Sequence, residues 1–246
     1  MRDQIRAEVR KLRTTRTVWG LFAGAMILAG IAAWAMVSTG AFGSSVALTT
    51  LPGFAEMMAI VPVFVVVLGI RSYTDEARHG AIVPTLLATP RRRRVVAAKA
   101  VVLAAAAALF AVVATVVVGG VSLALLAADG VAVSVSVAAL AILLGKAVAL
   151  CALWAVIGLG LGLFVQHQVA AIVGAILWML VGESIVEMLA PGVSKFLPAH
   201  ASTSVLGILP ADMSVVAPAV GAALLGGWAL LSLGTGTHAL ARRDIA

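Results

Sequence analysis

The residues able to do chemistry are few, and their spacing excludes most chemistries. The 246-residue chain has ten Asp and Glu, four His and one Cys. His79, His167, His200 and His238 are scattered, with neither an H-E-x-x-H pattern nor the close pairs that hold a metal. Cys151 sits in an apolar run and offers no disulfide or CxxC framework. No serine occupies a G-x-S-x-G elbow. The one Gly-Lys pair, Gly145-Lys146, has Leu140 where a phosphate-binding loop needs its first glycine and Ala147 where it needs a hydroxyl, so this chain is not expected to hydrolyse ATP itself.

What remains is charge in unusual places. Glu56, Glu183 and Glu187 lie within or at the ends of apolar runs, where a carboxylate costs several kcal/mol unless paired or wetted. Two readings stand. These carboxylates line the outer mouth of a translocation cavity, or they form structural pairs with Lys146. Lys146 and Glu187 stand equally far along the chain from the turn at Gln166-His167-Gln168. If the helices on either side run antiparallel, the two share a depth, and Glu183 lies one turn, roughly 6 Å, away.

The elements that would position these groups are membrane helices. Hydrophobic residues make up 63% and charged residues 11%, with a mean hydropathy of +1.15, far from a soluble domain. Of the 17 Lys and Arg, all but Lys146 and Lys195 fall in residues 1–16, 71–99 and 242–243, each beside an apolar run. That is the positive-inside pattern, and it argues against nucleic acid as a partner.

Residues 2–16 read as an interfacial amphipathic helix. Ile5, Val9 and Leu12 recur on one face, with Arg2, Arg6, Arg10 and Arg13 on another. A secretory signal is disfavoured, because the 21-residue run at 18–38 exceeds the usual h-region and is long enough to span a bilayer. A second span is expected at 54–70, kinked at Pro62. The third, at 97–128, is overlong and must tilt or project into the cytoplasm; the fourth is expected from about residue 138 to 165. A fifth at 169–189 precedes a Pro-broken outer segment at 190–217, expected to form two short helices dipping into the outer leaflet. A sixth at 219–240 returns the C-terminus inside. The expected fold is all-α and integral to the membrane, one domain over 1–246 with six spans and both termini cytoplasmic. Gly158-x-Gly160-x-Gly162 and Gly20/Gly24 have the spacing that lets membrane helices approach closely. Trp19, Trp34, Trp154, Trp178 and Trp228 fit interfacial anchors by position.

The basic loop at 71–99 organises the rest. Glu76 and Gly80 precede a short apolar-faced stretch at 81–87 ending in Leu86-Leu87. Thr89-Pro90 then stops it, Arg91 to Arg94 follow, and Lys99 enters the next helix. This order resembles the first cytoplasmic loop of ABC-2-type permeases, the membrane subunits of ATP-driven exporters, and the layout of the whole chain is similar, down to Arg242-Arg243-Asp244. Pro84 departs from the family pattern and would shorten the helix.

The resemblance implies that Glu76, Gly80, Leu86, Leu87, Thr89, Pro90 and Arg91 belong to a coupling helix that docks on a separate ATPase subunit. It also implies a second permease subunit, as a homodimer, in a prokaryotic cell membrane. ATP and Mg would then sit on the ATPase, and this chain would bind no cofactor and do no catalysis. The implied function is export of a hydrophobic or amphipathic substrate such as a drug, antibiotic or lipid. The alternative is an ATP-independent membrane protein, either a small secondary transporter or a structural subunit. A plain basic connector on anionic lipid is the bland reading of the loop.

Overall fold

The computed structural model describes residues 2–39, 58–80, 92–130, 137–208 and 216–242. Glu56 and the segment from Ala81 to Arg91 expected to couple to an ATPase, with Leu86, Leu87, Thr89 and Pro90, lie outside the described residues. Among the described residues six helices are long and apolar enough to cross a membrane, and there is no strand. The protein is therefore an all-α, multi-pass integral membrane protein.

Helix α1, Arg2–Thr14, carries the amphipathic pattern, and extended backbone at Thr15 turns the chain into the first span, α2, Arg16–Ser38. Ala25, Ala29, Ala33 and Val37, four apart, form the buried stripe of α2, and their small side chains let it lie close along the third span. A 3₁₀ turn, Met58–Ile60, leads into α3, Val61–Arg78. Pro62 falls in the first turn of α3, where no intrahelical N–H is needed, so the expected kink is replaced by a helix start. The helix also runs two turns into the basic loop, because Arg71 and Asp75 pair at 2.9 Å one turn apart. Gly80, at φ +68°, adopts the left-handed conformation just past its end, which a glycine enters without strain.

Helix α4, Arg92–Ala128, has 37 residues, about 55 Å at 1.5 Å each against a hydrocarbon core of about 30 Å. Helix α5, Val137–Val165, is the centre of the bundle and packs along α3, α4 and the last span. The glycine run explains the closeness. A Cβ on Gly158 or Gly162 would fall 2.3 Å from the Val66 carbonyl oxygen or 2.6 Å from that of Ile70, both on α3. A Cβ on Gly160 would meet the Ser232 backbone of the last span at 2.3 Å. Gly20 has open space around it and Gly24 faces the Phe64 ring, so that pair makes no close backbone approach among the described residues.

The fifth span, α6, Gln168–Leu189, packs on α3 and α5 chiefly through its first half. Its helix widens into a π turn at Trp178–Gly182, where the Trp178 ring lies over Gly182 so closely that a Cβ there would stand 2.8 Å from it. Two short helices follow, α7, Pro191–Ser194, and α8, Pro198–Leu206, before the last span α9, Pro218–Ala241. Helix α8 packs on α9 and on the outer part of α5. Trp154 is buried at 3% exposure and donates to Ser202 Oγ on α8, so it is a core residue rather than an anchor; Trp19 and Trp34 are exposed.

Candidate functional site

Two charge clusters stand at opposite ends of the bundle. The first is on the arginine-rich side, which the positive-inside rule places in the cytoplasm. Lys99, in the second turn of α4, is 2% exposed, yet each of its three ammonium protons has an acceptor. Nζ donates to Glu8 Oε2 of α1 at 2.8 Å, to Glu76 Oε1 of α3 at 2.6 Å and to the Ser72 carbonyl at 3.1 Å. Lys11 closes the set, 2.8 Å from Glu8 Oε1 and 2.9 Å from Glu76 Oε1. Two lysines balance two carboxylates, the condition under which burying charge is tolerable. Partial burial acts to lower the Lys11 ammonium, but its hydrogen bonds to Glu8 and Glu76 and their charges outweigh this and hold it above its ordinary value of 10.5.

This cluster ties the interfacial helix to the two helices that lead into and out of the segment at 81–91. Further bonds brace the same side. Gln168 Nε2 donates to Asp75 at 2.7 Å and Gln166 Nε2 to the Tyr73 hydroxyl at 3.2 Å, fixing the end of α3 to the turn between α5 and α6. Arg92, the first described residue after the loop, donates to the Leu240 carbonyl at the end of α9. Glu76 and Gly80 both lie on the N-terminal side of the segment at 81–91, Glu76 in the cluster and Gly80 just past the end of α3. Glu8 was not singled out from the sequence, although a carboxylate beside the apolar stripe of a basic helix is the signal that could have marked it.

The second cluster is at the other end. Glu183 is 2% exposed and caps α8: its carboxylate accepts from the Ala199 N–H at 2.9 Å and the His200 N–H at 3.2 Å, two of the donors that a helix start leaves open. His200 Nδ1 lies 3.1 Å from Glu183 Oε2. Its Nε2 lies 3.3 Å from Glu187 Oε2, within ion-pair range though outside hydrogen-bond geometry. An imidazole with a carboxylate at each nitrogen can offer a proton to both only as imidazolium.

The partner of the fifth-span carboxylates is therefore His200, and the pairing of Lys146 with Glu187 or Glu183 is not formed. Lys146 sits at the far end of α8, its Nζ 3.6 Å from where a Cβ on Gly207 would lie. The two charges that sequence spacing placed side by side are instead separated by a nine-residue helix, the carboxylate at its N-terminus and the ammonium at its C-terminus, each on the end whose dipole it complements.

Among the described residues no group of three or more His, Cys, Asp or Glu is placed to hold a metal ion. A family model described as ABC-2 family transporter protein matches residues 4–182. The match takes in the whole cytoplasmic cluster and stops one residue short of Glu183. Among curated proteins no match was found.

Proposed function

The chain belongs to the ABC-2 transporter family, and from that premise we propose that it is the membrane permease of an ATP-driven exporter that moves a hydrophobic or amphipathic substrate out of the cytoplasm or inner leaflet. The observation that carries this reading is the Lys99 cluster. A segment that receives force from a separate ATPase must pass it to the spans without yielding. The helices on both sides of 81–91 are locked to each other and to α1 by Glu8, Lys11, Glu76 and Lys99. The energy source is ATP on the partner subunit, and this chain contributes gating rather than covalent chemistry.

A second copy completes the assembly. The large apolar side chains left exposed along α2 and α6, among them Ile27, Ile31, Leu177 and Ile185, offer a surface for it or for lipid. The apolar character of the spans favours hydrophobic or amphipathic cargo over a polysaccharide, and a prokaryotic cell membrane is the proposed location.

Placing a charge in the ATPase contact tests the proposal. Leu86→Asp combined with Leu87→Asp should leave membrane insertion intact while assembly with the ATPase, or its stimulation by substrate, falls at least tenfold; a buried unpaired charge costs about 3–5 kcal/mol. Full ATPase stimulation by the inserted double variant would remove the loop from this role. Purification without any ATPase, together with ion-driven uptake into vesicles, would favour the ATP-independent alternative.

A further inference from the structure

Helix α1 does not seal against the spans it crosses. Between α1, α2 and α4 lies a groove of about 350 Å³. Its floor is aromatic: the Phe22 and Phe110 rings meet edge to face at 4.9 Å. Val9 of α1 and Ala105 and Leu109 of α4 form its sides, all exposed. The α4 lining runs from Val101 to Phe110, within the cytoplasmic half of that helix and so on the inner side of the bilayer.

One end of this apolar groove is charged. Arg13, at the end of α1, lines its mouth and is exposed, and the Trp19 indole fixes the backbone there by donating to the Arg13 carbonyl at 3.0 Å. Arg10, three residues earlier and also exposed, is its neighbour on the helix surface. The carboxylate nearest along α1, Glu8, is committed to Lys11 and Lys99.

We propose that this groove is a binding site for an anionic phospholipid of the inner leaflet, with the phosphate on Arg13 and one acyl chain along Phe22, Ala105 and Leu109. Charge complementarity selects the headgroup, since a guanidinium matches phosphate oxygens in geometry as well as charge. The open side of the groove faces hydrocarbon, which supplies the chain. A seated lipid holds α1 against α4 on the face next to that carrying Glu8 and Lys11, so it reinforces the Lys99 cluster without taking part in it. This site is independent of what the protein transports.

Native mass spectrometry of the full-length protein in detergent, titrated with dioleoylphosphatidylglycerol, dioleoylphosphatidylcholine or inorganic phosphate, tests it. The wild type should retain one phosphatidylglycerol molecule in preference to phosphatidylcholine. Arg13→Gln should weaken phosphatidylglycerol binding about fivefold, the share of one basic residue near an anionic surface, and leave phosphatidylcholine binding unchanged. Ala105→Trp fills the groove from an exposed position and should abolish retention of both lipids, with an unaltered gel-filtration profile showing that the fold survives. Equal retention of the two lipids by the wild type would overturn the proposal, as would an undiminished preference in Arg13→Gln or unchanged binding in Ala105→Trp. So would displacement of the lipid by inorganic phosphate at matched concentration, because a headgroup alone would then be the ligand.

Discussion

The cytoplasmic and outer charge clusters solve the same problem, buried and half-buried carboxylates in a membrane protein, with different materials. At the cytoplasmic end Glu8 and Glu76 face two lysines, Lys11 and Lys99, and every Lys99 proton has an acceptor. At the outer end Glu183 is satisfied by backbone N–H groups, and Glu187 faces an imidazole whose charge depends on a proton. The first arrangement joins three helices through fixed charges. The second attaches one short helix, α8, through a cap that needs no cation. A rigid joint beside the segment proposed to meet an ATPase and a lighter attachment on the opposite side suit the proposed drive from the cytoplasm.

Breaking the rigid joint should have the largest effect. Lys99→Met leaves Glu8 and Glu76 with Lys11 alone to balance them and should cost about 3–5 kcal/mol in denaturation in detergent. Adding Glu8→Gln and Glu76→Gln should recover part of that loss, since the uncompensated charge is then gone. A melting temperature unmoved by Lys99→Met would mean that the cluster does not hold these helices.

The outer attachment should break more cheaply and in a different pattern. Glu183→Ala strips the acceptor from two N–H groups of α8, at about 2 kcal/mol. In a double-mutant cycle, Glu183→Ala and His200→Ala should couple by about 1 kcal/mol, whereas Lys146→Ala and Glu187→Ala should add within about 0.5 kcal/mol. Coupling confined to the Lys146 cycle would reverse the assignment of partners.

The smallest effect sharpens the contrast in charge type. Lys11 is 39% exposed, so Lys11→Met should cost no more than about 1 kcal/mol at neutral pH. Its folded-state value lies above 10.5, so its contribution is complete below pH 10.5 and fades as pH rises through the raised value. Wild type and Lys11→Met should converge in stability only in that alkaline range. Convergence already at neutral pH would show that Lys11 adds nothing.

The spans were legible because a membrane helix declares itself by length and apolarity alone, and the observed spans begin and end within a few residues of expectation except where α3 and α4 extend into the basic loop. The outer site was half legible. Glu183, Glu187 and Lys146 are evident as costly charges, but equal distance from the turn pairs them only if the fifth span follows the fourth along its length. In the structure α6 packs on α5 chiefly near the turn, and α8 packs on the outer part of α5. The missing clue lay in Pro198-Ala199-His200, where a proline opening a helix announces N–H groups in want of an anion. Pro62 carried the same information at the start of α3. Lys99 was part of the recognised order of residues, but its three acceptors come from chain segments up to 91 residues away, and no local pattern encodes that meeting.

The π turn at Trp178–Gly182 sets the phase of everything beyond it. A π turn accommodates one more residue than the α turn it replaces, so Glu183 and Glu187 face about 100° away from where an unbroken helix would aim them. Their meeting with His200 thus depends on a single inserted residue. Excising one position between 178 and 182 would relax the turn to α, swing both carboxylates off α8 together and leave the composition of the span almost unaltered. The reach of the outer attachment is in this sense a matter of counting, and a one-residue deletion in an apolar stretch would be felt at a carboxylate that it never touches.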